Sequence, residues 1–497
     1  MEASWGLIAA YILLGLLSLT LIALNPRWVP VLLVLVLPTS NFDLHGPLSL
    51  SFSKLVLLIF LVTFPAQYAV IRLRRGGIQV PASVLLFVLV VTLSTLGAYV
   101  WMPRASDEGF GLLRSPSFRP IVQVLSLCLR VSALVAILGW AADQASRIRL
   151  CKAMLFASTL VAAYGIYQFF GYYYGWPIMS IHRAQADLSD GYALFQVGSL
   201  QVFRVGSFAG EPKEAARYLL PSIVLIVFSR CTSTVQLRSW LTSYGILALH
   251  VIAFILTFST SSFFAFFISA PFLFYLLSRY RGRVRLDRLV LVFALSGIVV
   301  GSVIAMAGGL RTSSRIYSAR ITDRVDLIEG PEQAAFDFLK EHPRYLLTGI
   351  GLGNSSFALR PYYDPRYYVP LTVSLDSGYL QILLEGGAPA LLLFLWFLGA
   401  WLKRGVRLVV TGSRDEYTGM LVTIMAVCLV LGAVHAFSGA ESQLWIAWGV
   451  LVTLCRAQPA RVVSMVPNLA DPFQPSSSRQ ISRTRPWHFP TPVSPKW

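Results

Sequence analysis

The chain has 497 residues, of which 56% are hydrophobic and only 13% charged, with a mean hydropathy of +0.66. That balance excludes an ordinary soluble domain and points to one large helical membrane domain. The formal net charge of +18 suggests nucleic acid as a partner at first sight, but its distribution excludes that reading.

A helical span needs roughly 20 apolar residues to cross a bilayer core, and apolar runs of about that length recur along most of the chain. In order, the expected spans are Trp5 to Leu24, Trp28 to Pro38, Leu55 to Ile71, Pro81 to Trp101, Pro120 to Trp140 and Leu150 to Trp176. Then come Tyr218 to Ser229, Leu241 to Phe258, Phe263 to Ser278, Leu289 to Ala307, Gly378 to Leu402, Gly419 to Phe437 and Leu444 to Leu454. The fold class is therefore all-α, a polytopic bundle of about 12 or 13 transmembrane helices. The first run lacks a basic flank and a small-residue cleavage site, so it reads as the first span, not as a cleaved signal. Residues 1–457 form the membrane domain. From residue 458 to 497 the composition turns to Pro, Ser and Arg, as expected of a disordered tail on the cytoplasmic side. The chain shows no internal repeat.

Two long polar segments interrupt the spans, 176–217 and 309–376. The first holds four basic and four acidic residues and the second eight of each, so neither contributes to the net charge. The surplus sits in short connections such as Arg72, Arg74 and Arg75, Arg147 to Lys152, and Lys403 to Arg407. Short basic loops alternating with neutral ones follow the positive-inside rule, which puts the basic connections in the cytoplasm and both long loops outside. Charge so placed implies no nucleic acid.

Cys128, Cys151, Cys231, Cys428 and Cys455 fall in spans or at their cytoplasmic ends, where they read as small apolar fillers. The six histidines are dispersed and neither loop holds acids or histidines at ligand spacing, so no metal and no cofactor is expected.

In the first loop, the segment FRVGSFAGEPKEAARYLLP sets Arg204, Glu211, Lys213 and Arg217 just before a span, which would place their polar heads at the outer membrane surface. In the second, Arg311, Arg315, Arg320 and Arg324 recur at near-helical spacing. A helix with Pro331 in its first turn should run from Glu332 to Glu341, followed by TGIGLGNSSF and by LDSGYLQILLEGGAPALLLFLWF, where Asp376 leads into a span. Gly349, Gly351 and Gly353 read as a tight turn, since a phosphate loop would need a strand before it and a helix start after it. Arginine forks suit a pyrophosphate, which makes a lipid-linked pyrophosphate a reasonable ligand. Arg130 interrupts a span, so it should find either a structural partner or a lipid phosphate. Interfacial arginines also pair with nearby acids, and that reading stands beside the functional one for Arg204, Arg217 and Arg324. Tyr362, Tyr363, Tyr367 and Tyr368 fit either sugar stacking or an interfacial belt.

The ordered set RVGSFAGEP, HPRYLLTGIGLGNSSF and LDSGYLQILLEGGAPALLLF resembles the O-antigen polymerase and ligase superfamily, over roughly Arg204 to Trp445. The resemblance implies a glycosyltransferase of the C type, acting without metal on undecaprenyl-pyrophosphate-linked glycans at the outer face of the bacterial inner membrane. Ligases of this superfamily carry His-Asn followed by Tyr-Leu, a pattern that falls here on Asp376, Ser377, Tyr379 and Leu380, without the histidine. Gly387 and Ala390 match the family's small-residue turn, whose second glycine is also replaced. Asp-Ser-Gly-Tyr is closer to the polymerase and exopolysaccharide branches. Asp376 is then the expected group that orients or deprotonates the nucleophile, with Glu211 as second candidate, while Arg204, Arg217 and Arg324 stabilise the departing pyrophosphate. Partners implied are the lipid-linked oligosaccharides and membrane lipids, with a flippase and a chain-length regulator of the same pathway. A ligase-type transferase, a transporter or flippase, and a non-catalytic assembly partner are the alternatives.

Overall fold

A computed structural model describes residues 5–39, 43–44, 50–75, 77–101, 115, 117–141, 143–178, 194–197, 200–231, 240–279, 331–362, 375, 377–411, 449 and 452. The expected spans at Leu289 to Ala307 and Gly419 to Phe437, nearly all of Leu444 to Leu454, and the tail lie outside the described residues, as do Arg311, Arg315, Arg320, Arg324 and Asp376.

The protein is a polytopic helical membrane protein. Its described helices begin with α1 (Trp5–Leu24), α2 (Val29–Val36), α3 (Phe52–Arg75), α4 (Ala82–Trp101), α5 (Arg119–Trp140), α6 (Gln144–Tyr174), α7 (Pro212–Cys231), α8 (Tyr244–Leu256) and α9 (Thr260–Arg279). Three short helices follow, α10 (Pro331–Glu341), α11 (Tyr345–Thr348) and α12 (Ser355–Ala358), and then α13 (Gly378–Thr411). Five of the helices, α3, α4, α5, α6 and α13, are long and apolar enough to cross a membrane. Two small antiparallel ribbons were not foreseen. They are β1 (Asp43–Leu44) with β2 (Leu50–Ser51), and β3 (Leu194–Val197) with β4 (Leu200–Phe203), the latter pairing Leu194 with Phe203 and Val197 with Leu200.

Local sequence accounts for the helix boundaries. Asp143 caps α6 by accepting from the Ser146 N–H at 2.6 Å, and Gly175 ends it in the left-handed conformation at φ 70°. Ser243 caps α8 on the Ile246 N–H, and Pro212 takes the first position of α7, where a missing N–H costs nothing. Large apolar side chains on α1, α3 and α4 stay exposed, as a lipid-facing surface requires.

Packing is organised around α7. Every residue of this helix is buried except Lys213 and Arg230, so it is enclosed on all sides and lies inside the bundle, against α6, α8 and α9. It also begins about one and a half turns before the Tyr218 start that hydropathy suggests, because Glu214 and Arg217 sit within its first turns and lower the local average. The short α2 is likewise buried, between α3, α5 and α6.

α13 is broken. Gly387 departs from helical geometry at φ 76° and ψ 174°, and Pro389 has no N–H to offer the helix. Carbonyls released inside a membrane protein must find other donors. The TGIGLGNS segment supplies them: the Ile350 N–H bonds Leu384 O at 2.9 Å, and the Gly351 N–H bonds Glu385 O at 2.8 Å. From α4, the Ser94 hydroxyl bridges Thr348 O (2.5 Å) and Glu385 O (2.9 Å), while Thr95 Oγ1 accepts from the Leu352 N–H at 3.0 Å. Gly349, Gly351 and Gly353 all have positive φ, so the tight-turn reading holds. Beside this turn, Ala334, Ala335, Phe338 and Leu339 of α10 form a small apolar core with Ile350, Leu359, Leu375 and Leu384.

Candidate functional site

The sequence-expected residues that can be placed gather where β4 leads into α7. Val205 N–H bonds Leu256 O at 3.1 Å and Arg204 Nε bonds Thr257 O at 3.4 Å, so the strand and the arginine together satisfy terminal carbonyls of α8. Ser207 anchors the next turn to α6, its N–H on Gln168 Oε1 at 2.8 Å and its hydroxyl on Val161 O at 2.7 Å. Gly165 of α6 is required for that approach, because a Cβ there would stand 2.7 Å from Val205 Cγ1. Glu211 then precedes Pro212, and its carbonyl accepts the first helical bond of α7 from Ala215.

These groups are not at a solvated membrane surface, as the sequence suggested. Arg204 is 8% exposed, Glu211 5% and Arg217 fully buried. The reason is the early start of α7, which carries them inside the end of the bundle beneath the β4 connection. Arg217 donates from Nη1 to Glu214 Oε1 at 2.6 Å, and Lys213 lies 3.9 Å from Glu211. Glu214, missed in the sequence reading, also suits the positive end of the helix dipole. Its place three residues before an arginine was the available signal.

Removing one partner of a buried ion pair leaves an uncompensated charge, at a cost of about 3–5 kcal/mol. Glu214→Ala should therefore lower the unfolding midpoint of the purified protein sharply. Glu214→Leu combined with Arg217→Met should recover most of the loss, since it removes both charges. Equal midpoints for the single and double variants would argue against a pair.

A second polar cluster surrounds Glu385, two residues before the break in α13 and only 3% exposed. Its Oε1 accepts from the Gly353 N–H at 3.0 Å and the Ser355 hydroxyl at 2.5 Å, and its Oε2 from Gln381 at 3.4 Å. Arg119 and Arg130 of α5 both lie within electrostatic range of this carboxylate. Glu385 itself went unremarked in the sequence, although an acid inside the apolar run LLEGGAP is the mark of an intramembrane functional or pairing group.

Near the end of α6 the Tyr173 hydroxyl accepts from the Phe203 N–H at 3.2 Å, next to Arg204. Arg204, Glu211 and Arg217 lie on the stretch that runs from the end of β4 into the first turns of α7. Asp376 and Arg324 lie outside the described residues, although Ser377, the next residue, caps α13 on the Leu380 N–H at 3.3 Å. Among the described residues no group of three or more His, Cys, Asp or Glu side chains forms a metal cage.

Residues 245–395 match the family described as O-antigen ligase. The match runs from α8 into α13, taking in Thr257, the glycine turn, Glu385 and Gly387, and it stops short of the segment that carries Arg204, Glu211 and Arg217. No curated protein matches the chain.

Proposed function

We propose, from the premise that residues 245–395 place this multi-pass membrane protein in the O-antigen polymerase and ligase superfamily, that it is a polysaccharide polymerase. It joins undecaprenyl-pyrophosphate-linked glycan repeats at the extracytoplasmic face of the inner membrane. The observation that carries this reading is the family match in a bundle that buries Arg204, Arg217, Glu211, Glu214 and Glu385.

In the transfer, an acceptor hydroxyl oxygen forms a bond to the anomeric carbon of a lipid-linked glycan. The bond from that carbon to the diphosphate oxygen breaks, and undecaprenyl diphosphate leaves with the electron pair, inverting the centre. The hydroxyl proton passes to Asp376 or, through water, to solvent. Arg204, Arg217 and Arg324 offset the charge growing on the diphosphate, where one preorganised donor contributes about 3–4 kcal/mol. In this scheme Glu214 holds Arg217 by the 2.6 Å bond and so orients it. Glu211 is the alternative base.

The family description favours a second reading, a ligase that moves a finished glycan to a different acceptor. Reconstituted protein given only purified lipid-linked repeats separates them. A polymerase is expected to yield a ladder of longer glycans with release of undecaprenyl diphosphate, with no nucleotide or metal added. If the same preparation extends nothing alone but transfers a glycan once a lipid A-type acceptor is supplied, the polymerase reading is wrong. Absence of any transfer under either condition rejects the enzyme.

A further inference from the structure

The glycine turn at 349–353 is irregular backbone held between two membrane helices, and its depth along them can be measured. α4 and α13 pack antiparallel: Phe87 meets Phe394 with ring centres 5.3 Å apart, while further along α4 the Ser94 hydroxyl bonds Glu385 O at 2.9 Å. Their basic ends therefore lie together, with Arg72, Arg74 and Arg75 ahead of α4 and Lys403, Arg404 and Arg407 late in α13. Ser94 comes twelve residues after Ala82, and Gly387 sixteen before Lys403. At about 1.5 Å per residue they stand about 18 Å and about 24 Å from that basic side. A hydrocarbon core is about 30 Å deep, so the turn lies roughly 6–12 Å beneath its opposite face.

Non-helical backbone survives at such depth only where protein satisfies its polar groups. The turn meets that demand. The N–H groups of Ile350, Gly351, Leu352 and Gly353 go in order to Leu384 O, Glu385 O, Thr95 Oγ1 and Glu385 Oε1, all between 2.8 and 3.0 Å. Pro389 is the residue whose N–H would otherwise have bonded Glu385 O, so the break in α13 is what admits the segment. Thr348 is exposed, yet its hydroxyl turns back onto Arg344 O at 3.3 Å and Gly349 O at 3.2 Å.

The outward side chains are apolar. Leu347 is 69% exposed and Leu346 38%. The bond from Ser94 to Thr348 O, at 2.5 Å, brings them beside the lipid-facing row of α4, where Leu93 and Leu96 are also exposed. Just before them Arg344 lies over the Tyr345 ring, 4.8 Å from its centre, with Nη2 on the tyrosine hydroxyl at 3.1 Å. Such a pair suits the level of the headgroups.

We propose that residues 344–353 are a re-entrant segment that dips into one leaflet, where Leu346 and Leu347 pack on phospholipid acyl chains. Arg344 and Tyr345 hold its rim at the headgroups. A loop resting in water gives no account of two adjacent exposed leucines that continue the lipid surface of α4. The same depth carries the Glu385 carboxylate below the membrane surface. The inference does not rest on the transfer reading, and glycan extension plays no part in its test.

The test uses the full chain in phosphatidylcholine nanodiscs, with a fluorescent amino acid placed at position 347 and, in separate preparations, at 346, 93 and 333. Position 93 is the lipid-facing reference, and position 333, an exposed glutamine on α10, is the aqueous one. Phosphatidylcholine with a nitroxide on its acyl chain should quench positions 346 and 347 to within about twofold of position 93, because they share a depth. Iodide in the water should quench them at least about fivefold less than position 333, because an anion is excluded from hydrocarbon. Iodide quenching at 347 equal to that at 333 would put the segment in water, and quenching by neither agent would put another part of the chain over it. Either result overturns the inference. Should the label at 347 prevent folding, the label at 346 decides by the same two readings.

Discussion

Gly349→Ala is expected to cost the protein on the order of 3 kcal/mol or more, from backbone strain at positive φ together with overpacking. The position has φ 68°, and an added Cβ would stand 2.4 Å from Glu385 O and 2.6 Å from Ser94 Oγ. Neither neighbour can retreat cheaply, since Glu385 O is the carbonyl freed by the α13 break and already accepts from Gly351 and Ser94. Gly387→Ala should behave alike, with its Cβ 2.4 Å from Leu347 O. Gly97→Ala in α4 is the control: nothing lies within 4 Å of its Cβ, and alanine is the better helix former by about 1 kcal/mol. Unfolding midpoints in detergent, with yields of folded protein, compare the three. A Gly349→Ala protein as stable as Gly97→Ala would show that the turn does not close on the broken helix.

The largest effect on activity is expected at the carboxylates. Asp376→Asn should lower glycan extension by about 100-fold or more if the group accepts the proton, the usual contribution of a placed general base. An orienting role predicts a milder loss, since the amide keeps an oxygen that can accept a hydrogen bond. Glu211→Gln is the second measurement, and Arg204→Gln should weaken the step through the leaving group by a similar order. Extension by reconstituted protein, at matched amounts of folded enzyme, decides. Should Asp376→Asn and Glu211→Gln both extend glycans at the parent rate, neither carboxylate is the base.

Several elements were legible because they depend on short stretches of chain. The spans of α1, α4, α5 and α6 follow from apolar length, and α10 from Pro331 at its start. Spaced glycines were enough to indicate the turn at 349–353. The membrane end of α7 was misplaced for the opposite reason: its first turns are charged, and hydropathy counts Glu214 and Arg217 as loop although they bond each other inside the bundle. Glu385 was passed over because a lone acid in an apolar run says nothing by itself about its donors.

The sequence by itself determined that the chain is a polytopic helical membrane protein, because partition into a bilayer is summed residue by residue along each span. Tertiary structure alone decided which charges are neutralised and by what. Ser94 meets Thr348 across 254 residues, and Gly353 reaches Glu385 across 32. Such pairings depend on how helices pack and where one of them breaks, and no local composition encodes that geometry.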